Sequence, residues 1–202
     1  MSESNVTAKR TRGPNLKKRQ RTRNKLIDAT KSLLLTKPAD EITINDITSS
    51  ADCALGTFYN YFLSKTLIMD AVMNDLIESL LEEVKSDFDN TGVTHPIDRL
   101  SVGFRLVSLN ITSRSDLGFL LFESGLPLKN LVFNLESFIE SEIDAGVEEQ
   151  LITVSEPSLV ATLTAGSLMN MLMKQYSGFY GPDMIDMIIQ PFLKSDLVTV
   201  HN

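Results

Sequence analysis

The chain has 202 residues, enough for one domain or two small ones sharing a core, and its 43% hydrophobic and 22% charged content is that of an ordinary water-soluble fold. A single cysteine, Cys53, excludes an intrachain disulfide and fits a reducing compartment. The apolar runs are too short to span a bilayer, and no apolar stretch follows the basic N-terminus as a secretory leader would require, so a cytoplasmic protein is expected. The net charge of −7 is unevenly placed: residues 1–65 hold twelve Lys/Arg against six Asp/Glu, a net of +6, which leaves −13 for the remainder. A basic head on an acidic body points to an anionic partner at one end.

In chain order, residues 1–16 are polar and broken by Gly13-Pro14, and read as a disordered basic arm. Leu26, Ile27, Ala29, Leu33 and Leu34 recur at helical spacing and predict a first helix over 17–36, stopped by Pro38. Thr43 opens a short helix to about 50, with Asp46 at the capping-box position. After a break at 51–53 comes a third helix, about 54–62, carrying the stretch GTFYNYF. Ser64 caps a long fourth helix over 65–88. Pro96 starts a fifth over 96–112, a sixth covers 115–124, and a seventh spans 128–145 with Gly146 just past its end. Pro157 begins an eighth to about 178 and Pro182 a ninth, which Pro191 kinks or ends. No run alternates convincingly with period two. The expected fold class is all-α, about nine helices: a helix-turn-helix head over 17–65 and a helical body over 66–202.

The second and third helices, joined by a tight break, have the form of a helix-turn-helix. Their packing requires Ile47, Ala51, Cys53, Phe58 and Tyr61 to point inward, and all five are apolar, small or aromatic. At 100° per residue Phe58, Tyr61 and Phe62 share one side of the third helix, while Gly56 and Asn60 lie opposite, flanked by Thr57 and Tyr59. Hydroxyls of that outer face can donate to phosphates and an amide can read a base edge, which suits double-stranded DNA.

At this point residues 17–68 resemble the DNA-binding domain of TetR-family transcriptional regulators. The family pattern A-G-V-S-x-G-T-L-Y-x-H-F-x-x-K-x-x-L stands here as ADCALGTFYNYFLSKTLI, with Ala51, Gly56, Thr57, Tyr59, Phe62 and Lys65 matching outright. Asp52 replaces the turn glycine, and tolerates left-handed backbone better than most residues. Ala54 replaces the serine that caps the recognition helix, a loss of about 1 kcal/mol. The resemblance implies that Thr43, Thr57, Tyr59, Tyr61 and Lys65 contact phosphate. It implies that Leu55, Gly56 and Asn60 face bases with help from Asn45, and that Arg10, Arg12, Lys17 and Lys18 reach an adjacent minor groove.

For the body the resemblance implies a ligand cavity and a homodimer interface made by the last two helices. The eighth helix is apolar almost all round, and five of the eight methionines (169, 171, 173, 184 and 187) fall in the last two helices. Candidate pocket residues are Phe104, Asn110, Phe119, Phe122, Asn170 and Met173, with Arg105, Arg114 or Glu123 as polar anchors. The function expected is a repressor that binds a palindromic operator as a dimer and is released by a small apolar or amphipathic effector. The alternatives are a DNA-binding dimer without effector, or an activator. Two histidines and one cysteine leave few nucleophile–base pairs, and no phosphate loop, dinucleotide fingerprint or zinc spacing is present, so neither an enzyme nor a cofactor or metal site is expected.

Overall fold

The computed structural model describes residues 14–178 and 198–200. Of the expected arm at 1–16, residues 1–13 (with Arg10 and Arg12) lie outside the described residues, as does the ninth helix from Pro182, with Met184, Met187 and Pro191. Pro14, Asn15 and Leu16 are not arm but the first turn of a helix, where proline is well suited. Eight helices stand among those described: α1 (Pro14–Leu34), α2 (Ile44–Ser50), α3 (Leu55–Tyr59), α4 (Lys65–Asp89), α5 (Pro96–Ser113), α6 (Ser115–Phe122), α7 (Lys129–Glu148) and α8 (Pro157–Tyr176). No described helix is long and apolar enough to cross a membrane.

Two short strands, β1 (Ile152–Val154) and β2 (Val198–Val200), pair antiparallel with Ile152 opposite Val200. Three residues give no period-two signal, so this ribbon was invisible to a search for alternation. What sets β1 in place is tertiary: Ile152 is buried beneath α7. A Cβ on Gly146 would stand 2.9 Å from its Cδ1. Gly146 is therefore a packing glycine inside α7, not the residue that ends it, and the left-handed residue of the following turn is Gln150, at φ 59°.

Two clusters form the core. One joins the head to the body: Leu26, Ile27 and Leu34 of α1, Ile47 of α2 and Phe58 pack with Ile68, Val72 and Leu76 of α4 and Leu117, Leu120 and Leu121 of α6. The other fills the space between α5, α7, α8 and β1, with Phe104, Ile139, Ile143, Ile152, Ala165 and Leu168. Because α4 begins in the first cluster and ends beside the second, head and body share apolar contacts along one continuous helix. Polar ties reinforce the junction. Lys31 of α1 pairs with Asp75 of α4, and the Ala39 N–H donates to the Ser124 carbonyl at 2.9 Å.

Candidate nucleic-acid interface

The helix-turn-helix starts from a cap that the local sequence dictates. The Asp46 N–H donates to Thr43 Oγ1 at 3.1 Å, and the Thr43 N–H and hydroxyl both donate to Asp46 Oδ2 at 2.8 Å. Lys37 Nζ donates to the same oxygen at 2.8 Å. These donors, Lys37 first and then the Thr43 N–H and hydroxyl, hold the Asp46 carboxyl well below the usual carboxylate range. A carboxyl depressed on folding contributes stability above its unfolded pKa, near 4, and loses it as the pH falls toward the folded value. Asp46→Asn is therefore expected to flatten the acid branch of the stability profile below about pH 4, checked by thermal melts from pH 6 to 2 beside the unsubstituted chain.

The turn between α2 and α3 takes the left-handed residue that its geometry needs at Asp52, φ 46°. Only a residue able to adopt that backbone serves here, and aspartate does so in place of the glycine of the pattern this stretch resembles. Ala54, at the cap of α3, makes no side-chain hydrogen bond. The helix is also shorter than the spacing predicts. It ends at Tyr59, and Tyr61 and Phe62 follow in a turn whose N–H groups both reach the Phe58 carbonyl at 2.9 Å. The inward set survives this shortening. Ile47, Ala51, Phe58 and Phe62 are buried, and Cys53 and Tyr61 partly so. Arg23 of α1 lies over the Phe62 ring, 5.4 Å from its centroid.

The opposite face is open. Leu55 and Tyr59 are 46% and 49% exposed, Gly56 and Asn60 are exposed, and Thr57 is half-buried. Among the described residues no hydrogen bond engages the side chains of Thr57, Tyr59, Asn60 or Tyr61. A Cβ on Gly56 would meet nothing within 4 Å. Asn45 stands exposed in the first turn of α2, and the exposed Lys17, Lys18, Arg19, Arg21 and Lys25 line α1 nearby.

Lys65 is used otherwise than the resemblance implies. Its Nζ donates to the carbonyls of Ala39, Asp40 and Ile42 at 3.0, 3.0 and 2.9 Å, so all three ammonium hydrogens are committed to the loop before α2. It is a strut that ties the start of α4 to the start of α2, and has no donor left for a phosphate.

The body holds a cavity of about 380 Å³ between α4, α5, α7 and α8, walled largely by apolar residues, among them Leu80, Phe104, Leu131, Leu135, Phe138 and Leu172, with Lys85, Asp89, Arg99 and Asn134 as its polar members. Of the candidate pocket residues, Phe104 lines it, and the other five do not. The Asn110 amide donates to the Leu106 carbonyl of its own helix. Phe119 is half-buried on α6, Phe122 packs against Tyr176 with ring centroids 5.7 Å apart, and Asn170 and Met173 lie on the exposed side of α8. The suggested anchors are elsewhere too: Arg114 grips Glu83 at 2.6 and 2.8 Å, and neither Arg105 nor Glu123 is in the wall. The arginine that is in the wall, Arg99, is joined to Glu142, 43 positions away, by a pair that no local spacing reveals. That bond to Glu142 raises the affinity of Arg99 for its proton.

No family model matches the chain. It is 34% identical over 61 residues to the uncharacterized HTH-type transcriptional regulator YvdT of Bacillus subtilis, covering 30% of this chain and 31% of that one. It is 37% identical over 98 residues to the HTH-type transcriptional regulator EthR of Mycolicibacterium smegmatis, covering 46% and 43%. The chain thus spans less than half the length of these curated relatives. Solved structures match nearly end to end. RolR in complex with resorcinol superposes with a TM-score of 0.65 at 23% identity, over 89% of each chain. AibR in complex with isovaleryl coenzyme A and operator DNA gives 0.53 at 17%, over 85% and 96%. A TetR-like transcriptional regulator from Rhodococcus sp. RHA1 gives 0.58 at 12%, over 86% and 94%. At these identities the structural likeness is one of fold.

Proposed function

We propose that this chain, which has the TetR-like fold and a helix-turn-helix head, is a DNA-binding transcriptional regulator. In this reading it binds a palindromic operator as a dimer, acts as a repressor, and is released by a small apolar or amphipathic ligand. The observation that carries the proposal is the outer face of α3. Gly56, Thr57, Tyr59 and Asn60 are presented together without internal partners, beside a basic α1, on a helix whose other side is anchored by buried Phe58. Hydroxyls there fix register on phosphates and the Asn60 amide reads a base edge.

Dimerisation is supported by α8, where Leu159, Leu163, Gly166, Ser167, Asn170 and Met173 form an exposed row of apolar and small residues along one side of the helix. Two recognition helices about 34–36 Å apart then meet successive major grooves of one palindrome. The cavity favours an effector-responsive regulator over one without an effector. Its wall includes Ile77 to Asp89 of α4, the same helix whose first residue, Lys65, holds the loop before α2. A ligand that prefers one setting of α4 shifts the population of head spacings, and so the operator affinity.

Gel-shift titration on a palindrome from the DNA flanking the gene tests this. Tyr59→Phe is expected to weaken operator and non-operator binding alike, about fivefold for one lost phosphate hydrogen bond. Asn60→Ala is expected to lose ~1–3 kcal/mol of discrimination at one base position. Operator affinity unchanged in both variants would remove α3 as the reading helix. A one-protomer complex on a half-site, indifferent to apolar ligands, would remove the dimer and release mechanism.

A further inference from the structure

We infer that the cavity selects an apolar molecule with a single hydrogen-bond-acceptor head, and that Arg99 is the group that receives the head. This rests on the reading of the cavity as an effector site. Arg99 enters the wall from the first turn of α5 and is fixed on two sides. Its guanidinium carbon lies 4.7 Å from the centroid of the Phe88 ring. Its Nε and Nη2 donate to Glu142 Oε2 and Oε1 at 2.7 and 3.0 Å. Glu142 comes from α7 and its side chain is only 8% exposed, so the fork is rigid before any ligand arrives.

A guanidinium has five N–H donors, and this pair uses two. Among the described residues no acceptor engages Nη1 or the second hydrogen of Nη2. Three donors thus remain on a side chain that is 35% exposed, where water reaches them, in a wall that is otherwise mostly hydrocarbon. A ligand oxygen that accepts from Nη1 takes the place of that water, and the apolar body of the same molecule covers Leu80, Phe104, Leu131 and Leu172. The positive charge of Arg99 is already balanced by Glu142 and felt by Asp89, so the site selects lone pairs more than net negative charge. A carboxylate and a ketone both qualify. An ammonium head, which only donates, finds no acceptor on Arg99 and has only the exposed Asp89 and Asn134, where a solvated ion pair or hydrogen bond is worth little. The remaining cation of the wall, Lys85, is exposed and unfixed by any partner among the described residues, so it does not define a geometry.

Three ten-carbon probes separate the possibilities in calorimetric titrations of the full chain: decanoate, 2-decanone and decylamine. The first two are expected to bind at least about tenfold tighter than the amine. The matching variant is Arg99→Met with Glu142→Met, which removes both charges together and so leaves no buried carboxylate unpaired. In it the preference for the two acceptors is expected to vanish while all three probes still bind. Equal affinity of the three probes for the unsubstituted chain overturns the assignment to Arg99 and leaves the effector cavity standing. A preference that persists in the double variant also overturns it. Failure of all three probes to bind overturns both this inference and the reading of the cavity on which it rests.

Discussion

Gly56→Leu is expected to make the protein more stable and to abolish most of its DNA binding. Glycine inside an exposed helix is the poorest choice short of proline, about 1 kcal/mol worse than alanine. Where a helix keeps one, something must need the space. In Gly118 the need is internal, because a Cβ would clash with the Tyr176 ring, and in Gly146 it would meet Ile152. Gly56 has no such neighbour: an added Cβ would meet nothing within 4 Å, and its backbone has the ordinary helical sign of φ. The chain accepts a local loss of stability at the centre of its open face with no packing return, which is understandable if another molecule's surface lies there. Leucine restores helix propensity and meets no internal clash, so the melting temperature should rise by a few degrees, as ~0.5–1 kcal/mol implies. The same side chain holds α3 off the groove, and operator affinity is expected to fall roughly 100-fold, or ~2.8 kcal/mol. The two readouts move in opposite directions, which misfolding cannot imitate. A stabilised variant with unchanged DNA affinity would show that α3 does not approach DNA through Gly56.

What the sequence made legible was whatever is decided locally. The capping box of Thr43 and Asp46 needs residues three apart, and it forms as the spacing predicts. The left-handed backbone at Asp52 and the uncapped start at Ala54 follow from single residue types in a recognisable turn. The two-faced character of α3 follows from periodicity, although the helix closes at Tyr59 and leaves Phe62 to reach the core from a turn. Features set by distant partners were not legible. Gly146 looked like a helix terminator because its actual reason, Ile152, acts across a reversal of the chain. The cavity was largely missed for the same cause. Aromatic and amide residues on α5, α6 and α8 suggested a pocket, yet of these only Phe104 lines it; much of the wall comes from the far half of α4 and from α7, and its fixed arginine is held from 43 residues away.

Lys65 shows how a well-matched motif can still misdirect a role, and its replacement should separate the two. If Lys65 bound a phosphate, Lys65→Met would leave stability unchanged, weaken binding to all DNA, and lower the salt dependence of binding by about one counterion. The geometry predicts otherwise. Three carbonyls, those of Ala39, Asp40 and Ile42, would lose one shared cationic donor. Hydrogen bonds to charged groups contribute ~1.5–3 kcal/mol each, but the three share one donor and Asp40 is exposed to water while Ile42 is buried, so a total loss of roughly 2–4 kcal/mol is expected in denaturant titrations. Methionine keeps the apolar stem and its packing, which confines the effect to the ammonium. The loop it releases is the one that Lys37 ties to Asp46 and that Ala39 ties to Ser124 of the body. Loosening it frees the start of α2 from both α4 and the turn after α6. DNA affinity should then fall as a consequence of lost order in the head, with the salt slope unchanged. An arginine in the same place cannot repair this, because a planar fork does not match three carbonyls converging on one nitrogen. Full stability in Lys65→Met together with a reduced salt slope would return Lys65 to the phosphate backbone.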